Sequence, residues 1–462
     1  MKNLKNLSLL VVVLFLFTQC EDKLKEYNKI KDQSFFEALV DLGFFDEEGK
    51  LLIDTDTIYS LSIYGKNLTD LSGIEIFRNL EELGVSFNNL TKIDVSQNKK
   101  LRFLYCNHNA ISQIVLDNPL LEHIYCSFNH IGFIDVSKSP LLKVLIANNN
   151  RLASLNVSNN PALEGINVNN NELRELDVSA CKGLIQLFCK QNKLVLLRAN
   201  GIPTLQTIDA DKNNLRQIEI EGASSLKTLK CYQNAIESIN VSQSPQLVHL
   251  ELNVNKLTSL DVSNNPNLEY LNCNNNLLES IDVTGSPNLK YLGLAGNSLS
   301  EIDVSNNLKL EHFLIVANQL AQLDVSNNTL LKTLNCGVNN LTSLDVSNNT
   351  LLYELGCDVN PLGSLDLSRN INLTRLNCGS NQLTELDVSN NKKLLSIYAS
   401  GNFLRSLDLT NIDQLRQLWL EDMPSLTCVG VWTESFPPQN FQLYTNGSAN
   451  IQFTVDFDEC VD

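Results

Sequence analysis

The chain is 462 residues long, enough for two or three ordinary domains, but the phrase LDVSNN keeps returning along it, and self-similarity of that kind points to one repeated architecture. Acidic residues outnumber basic ones 52 to 35, for a net charge of −17. Such a surface repels phosphate backbones and anionic lipid, which excludes nucleic acid as a partner and any electrostatic hold on a membrane.

Taken in chain order, residues 1–19 read as a targeting segment. Lys2 and Lys5 form a short basic region, and Leu9 to Phe17 is an unbroken apolar run. That run falls short of the roughly 20 apolar residues a membrane-spanning helix needs. It ends in FTQC followed by Glu21 and Asp22. This resembles a bacterial lipoprotein signal, in which cleavage leaves a lipid-modified cysteine, here Cys20, as the new N-terminus. Gln19 stands where that signal usually has a small residue. Ordinary secretion with removal of the segment is the other reading. The first implies a lipoprotein of the outer membrane or cell surface whose membrane contact is the lipid anchor alone; the second implies a secreted protein.

Residues 20–31 are charged and read as a tether. Residues 32–57 form an expected N-terminal cap, in which DQSFFEALVDLG, residues 32–43, has the spacing of a short amphipathic helix. Residues 58–79 are a degenerate first repeat. Sixteen units follow from Leu80, each of 21 residues except the one at Leu101, which lacks one. Their consensus is LxxLxCxxNxLxxLDVSxNPx, with Leu at position one and Asn at position nine in all sixteen, from Asn88 to Asn402. The alternation in LxxLxC sends Leu and Cys into a core and the residues between them to solvent, which predicts a short strand pairing in parallel with its neighbours. At position nine the chain turns inward, and the Asn amide can bond main-chain groups that the turn buries. The second half, LxxLDVSxNP, sends Leu and Val inward, and 21 residues leave no room for a long helix on the back. The pattern fades after Leu415, so residues 415–462 read as a C-terminal cap made of a loop and a strand.

The repeat resembles the leucine-rich-repeat family, in particular a short, internalin-like bacterial class whose repeat is itself two half-repeats, and the likeness covers residues 58–414. It implies a leucine-rich-repeat solenoid: β-rich, with parallel strands on the concave face, extended segments on the back and little helix outside the N-terminal cap. It further implies a binding scaffold used in adhesion or cell-surface contact. A monomer without a cofactor is expected.

Eight of the twelve cysteines, from Cys106 to Cys378, occupy position six, a slot that other repeats fill with Ala147, Val168 or Leu252. A slot shared by Cys, Ala, Val and Leu is a core slot, so these are expected as free buried thiols. Cys181 falls at the second asparagine position and is expected unpaired. Cys428 and Cys460 lie outside the ladder, in a small cap that gains about 3 kcal/mol from a staple, and are expected to bond to each other. No metal-binding signature occurs. Position fifteen is Asp in eleven repeats, unbroken from Asp261 to Asp408. Each is expected to close a turn through nearby main-chain N–H groups, with a cation-binding stripe as the competing reading.

Function is expected in the outward positions three, five, seven and eight. Phe87, Phe103, Tyr105, His108, His123, Tyr125 and Phe128 gather on the first three units, and position three reads His249, Tyr270, Tyr291 and His312 in four successive repeats. Exposed aromatics in series suit a binding surface, although cross-strand ring pairs also stabilise a sheet by themselves. A protein ligand on this face is the leading expectation, and a glycan stacked on Tyr270 and Tyr291 the alternative. An enzyme is not expected: there is no Ser-His-Asp spacing, Gly-rich phosphate loop or metal-binding helix.

Overall fold

The computed structural model describes residues 29–448 and 450–460; the expected signal segment, Cys20 and most of the tether lie outside them. The chain divides into two units, one ending at Ala223 and the other beginning at Ser224. Each is a β-solenoid. The first carries eight parallel front strands of three residues, from Ser60–Ser62 to Thr207–Asp209. The second carries eleven, from Thr228–Lys230 to Gln442–Tyr444. Register is strict within each unit, so one position of the repeat lines up on the next: Glu82, Phe103 and His123 are partners in the first, and His249, Tyr270, Tyr291 and His312 in the second. In every front strand but the last, Gln442–Tyr444, the middle residue and the residue two places on are buried, as in Leu104 and Cys106, or Leu334 and Cys336. The back is mostly extended chain. Short back strands pair only locally, at Lys92–Asp94 with Gln113–Val115, at Glu175–Asp177 through Gln217–Glu219, and at Ser406–Asp408 through Gln452–Thr454.

The position-nine asparagines use both the donor and the acceptor of the amide. Asn339 donates through Nδ2 to the carbonyls of Ile315 in the preceding turn and Cys336 in its own, each at 3.0 Å. Its Oδ1 accepts from the Leu320 N–H, also at 3.0 Å. Asn171 repeats the pattern in the first unit with Ala147, Val168 and Leu152. The sharp turn that aims this residue inward places the residue before it in the left-handed region, at φ of 52–61° in Phe87, His108, Phe128, Val338 and Val359.

A second asparagine ladder, at position nineteen, works differently. Asn328 donates to the carbonyls of Val304 and Asn307, but its buried Oδ1 accepts from no protein group, and the same holds for Asn307, Asn349, Asn370 and Asn391. Only the donor is used. Apolar Ile202, Ala223 and Ile412 also occupy this slot, while its polar substitutes keep the donor: the Ser139 hydroxyl donates to Asn118, the Ser286 hydroxyl to Asn265, and the Cys181 thiol to Val157.

The first unit begins with helix α1, Gln33–Asp41, which buries Phe35, Phe36, Ala38 and Leu39. Asp32 caps it by accepting from the Phe35 N–H at 2.7 Å, and its other oxygen accepts from Thr69 and Asp70 of the first turn. Burial works to raise the Asp32 pKa, but the hydrogen bonds from Thr69, Phe35 and Asp70 outweigh it and hold the carboxyl below its ordinary 3.8.

At the other end the front sheet continues past Leu415. Gln417–Trp419 and Gln442–Tyr444 add two more in-register strands, so part of the stretch assigned by sequence to the cap contributes turns. Met423 stands where the ladder asparagine would be, and in the final turn Ser448 takes over that role, accepting from the Met423 N–H and donating to the Leu420 carbonyl. A Cys428–Cys460 disulfide closes this end, with the Cα atoms 5.4 Å apart.

Replacing Asn339 by Ala is expected to cost about 3 kcal/mol in denaturant unfolding and to speed amide exchange at Leu320, because three buried main-chain groups lose their partner. Asn328→Ala should cost about half as much, and Asn328→Ser less than about 1 kcal/mol, since only donors are needed there. The Asp32 contribution is fully present above the ordinary carboxylate range and is lost as pH falls through the depressed folded value. Amide exchange at Thr69 and Asp70 should therefore accelerate below about pH 4, and Asp32→Asn should raise it at neutral pH while flattening that acid dependence.

Candidate functional site

Strand geometry puts positions three, five, seven and eight on one outward face, and rung spacing close to the thickness of an aromatic ring stacks like positions on one another. In the first unit the predicted cluster resolves into three columns. At position eight, Phe87, His108 and Phe128 stack at centroid distances of 4.2 and 4.4 Å, and Tyr64 extends the column at 4.9 Å. At position five, Tyr105 and Tyr125 stack at 5.0 Å, nearly parallel. At position three, Phe103 meets His123 edge-on at 5.1 Å, with the Arg102 guanidinium 5.2 Å from the Phe103 ring centre. His123 Nδ1 lies 3.4 Å from the Tyr125 hydroxyl, which links two of the columns. Phe87 and Phe128 are 46% and 47% exposed despite their left-handed backbone. That conformation disfavours a bulky side chain, and little burial offsets the cost here.

In the second unit, His249, Tyr270 and Tyr291 form a parallel stack, with centroids 4.2 and 4.4 Å apart and planes within 10°. The fourth member breaks away: His312 is tilted by 40° at 6.5 Å from Tyr291, and its Nδ1 meets the Thr333 hydroxyl at 2.8 Å. Burial, then the neighbouring Tyr270, pushes the Tyr291 phenol up to about 12. Both faces of Tyr270 are covered by rings, so it offers a ligand its edge and hydroxyl; a sugar ring has no free face to stack on there.

One further column, in the second unit, went unnoticed in the sequence. Tyr398, Trp419 and Tyr444, all at position five, stack at 3.9 and 4.7 Å. The 21-residue spacing from Tyr398 to Trp419 was a usable signal, but the next interval is 25 residues and lies beyond the point where the leucine pattern fades.

The aspartate stripe on the opposite half of the repeat is occupied with turns. Asp261, Asp303, Asp324 and Asp345 each accept the N–H of the serine two residues on, at 2.8–2.9 Å. These serines' hydroxyl and main-chain hydrogen bonds hold the carboxyls below their usual range. Asn156 and Asn240 do the same in other turns without a charge, to Ser158 and Ser242 at 3.0 Å. The residue type is thus explained by the turn.

Parallel three-residue front strands, a largely extended back, one α-helix of nine residues among the described residues and two asparagine ladders decide the architecture. The fold is a leucine-rich-repeat solenoid. YopM from Yersinia enterocolitica aligns with 91% of this chain and 99% of its own length at a TM-score of 0.60 and 22% identity. The leucine-rich-repeat protein LIC12759 of Leptospira interrogans covers 76% of this chain and 92% of its own, at 0.58 and 22%. The plant peptide hormone receptor RGFR1, solved in complex with RGF2, covers 87% and 80%, at 0.59 and 17%. No protein-family profile matches the sequence. No curated protein matches it either.

The position-six cysteines are buried, and burial drives the thiols of Cys126, Cys273, Cys336 and Cys378 up to about 12. Thiols that protonated and that covered do not act as nucleophiles at neutral pH. Nine thiols, these eight and Cys181, are expected to resist Ellman's reagent in the folded protein at pH 8 and to react promptly in denaturant. Cys428 and Cys460 should become available only after reduction, and fast labelling of any ladder cysteine in the native state would contradict the burial.

Proposed function

We propose that this chain is an exported recognition scaffold that binds a protein ligand on the sheet face of its solenoid and is held at the cell surface through a lipid on Cys20. Exported adhesion or cell-to-cell contact is the role that fits this arrangement. The observation that carries the reading is the Phe87–His108–Phe128 column. Large rings sit at left-handed positions, about half exposed, where the fold itself gains little from them. Central, rigid aromatic anchors are what protein interfaces use. The His249–Tyr270–Tyr291 stack supplies a second set of anchors, presenting ring edges and hydroxyls to a partner. The peptide-bound receptor RGFR1 illustrates one way this fold engages a polypeptide.

The test is capture on the purified, signal-free protein from intact cells, followed by affinity measurement with the captured partner. Phe87→Ala together with Phe128→Ala, or Tyr270→Ala together with Tyr291→Ala, should weaken binding by about 30-fold, equivalent to about 2 kcal/mol. A partner that binds both double variants as tightly as the native chain would remove the sheet-face assignment. Anchoring is read separately: metabolic labelling with a palmitate analogue should mark the native chain and not Cys20→Ser.

A further inference from the structure

The column Tyr398–Trp419–Tyr444 ends at Tyr398. Trp419 covers one face of that ring, and among the described residues no ring covers the other. Tyr398 lines a cavity of about 360 Å³ together with Gly356, Glu354, Arg375, Gln417 and Asn377, the last being its register partner on the side away from Trp419. Gly356 presents no side chain there, and the Asn335 carboxamide leans over it, its Oδ1 2.7 Å from where a Cβ at residue 356 would stand.

Two features give the cavity a chemical preference. Glu354 and Arg375 are register partners in adjoining strands, yet no ion pair joins them and neither side chain hydrogen-bonds to any described residue. Elsewhere in this unit, cross-turn neighbours of opposite charge do pair, as Lys290 with Glu269 and Lys332 with Glu311. Gln417, by contrast, is fixed in a chain from the Ser396 hydroxyl to Gln442. The site thus holds one free carboxylate and one free guanidinium side by side, beside an aromatic face. An anionic ligand gains Arg375 and meets Glu354; a cation does the reverse. A hydroxyl suits both, because it donates to one and accepts from the other. The strand Glu354–Gly356 is paired on both sides, so its main chain offers no edge to an incoming peptide strand.

From these features we propose that this cavity is a binding site for a neutral saccharide, with a pyranose ring laid on the open face of Tyr398 and its hydroxyls bridging Glu354 and Arg375. This goes beyond the protein-ligand reading and uses none of the residues assigned to it. The site sets one aromatic face, that of Tyr398, among several convergent polar side chains, an amphipathic lining suited to a ring that carries hydroxyls.

The experiment titrates the full signal-free chain with cellohexaose, maltohexaose and mannohexaose, read by calorimetry and by tryptophan fluorescence, since Trp419 backs the platform. At least one of the three should bind. Tyr398→Ala should weaken it by about tenfold or more, and Glu354→Gln and Arg375→Gln by about fivefold each. Tyr398→Phe, which keeps the ring face, should stay within about threefold of the native chain, as should Phe133→Ser on a distant exposed site. Thermal melts check that each variant folds; if Tyr398→Ala does not, the two charge variants decide alone. The proposal is overturned if none of the neutral oligosaccharides binds at about 10 mM. It is equally overturned if the charge variants bind like the native chain, or if trigalacturonate or a chitosan oligomer binds more tightly than all three.

Discussion

A solenoid turn of some 21 residues must bend sharply to close, and each bend carries main-chain N–H and C=O groups into a region that water does not reach. Leaving them unmet would cost on the order of 1–3 kcal/mol per group in every turn. The position-nine asparagine meets that demand, with two carbonyls served by its Nδ2 and an N–H by its Oδ1. A carboxamide serves both carbonyls and the N–H from one side chain, and the residue does not vary in the sixteen repeats. The position-nineteen slot uses the donor alone and admits Ser and Cys, and also the apolar Ile202 and Ile412. The slot with more bonds to make is the one that varies less.

Once the two ladders and the leucine core fix the backbone, the outward residues are free of any structural duty, and stacking register turns them into columns. Register brings like positions to within ring-stacking distance, so aromatic residues at successive repeats cover each other's faces. The second unit shows both outcomes. Tyr270 is covered on both sides, whereas Tyr398 ends its column with one side open. The two residues are chemically the same, and their places in a column give them different chemistry.

Architecture was legible in the sequence because periodicity expresses it many times over. Strand placement, the buried cysteines and the turn-forming aspartates could each be read from position in the repeat, the Cys428–Cys460 pairing from two cysteines that fall outside it, and the capping helix from its own amphipathic spacing. What could not be read was orientation. The spacing of His249, Tyr270, Tyr291 and His312 is uniform, yet His312 turns to Thr333 and leaves the stack. Nothing in a one-dimensional pattern encodes that choice between a ring and a hydroxyl. The C-terminal turns were hidden for another reason: Met423 and the 25-residue interval to Tyr444 break the two markers, asparagine and period, on which the reading relied. Ser448 keeps the hydrogen-bonding function with a residue type that the pattern did not flag.

The ladder bonds have a direction. Asn339 completes groups of the turn before it, and Leu320 obtains its acceptor only from a residue nineteen places further along. Each turn is therefore completed only when the following turn is in place, since the acceptor for its Leu N–H comes from there. A stop that removed the last turn would reopen the one before it, which gives Ser448 and the disulfide beyond it the task of ending a series that otherwise always calls for one more member.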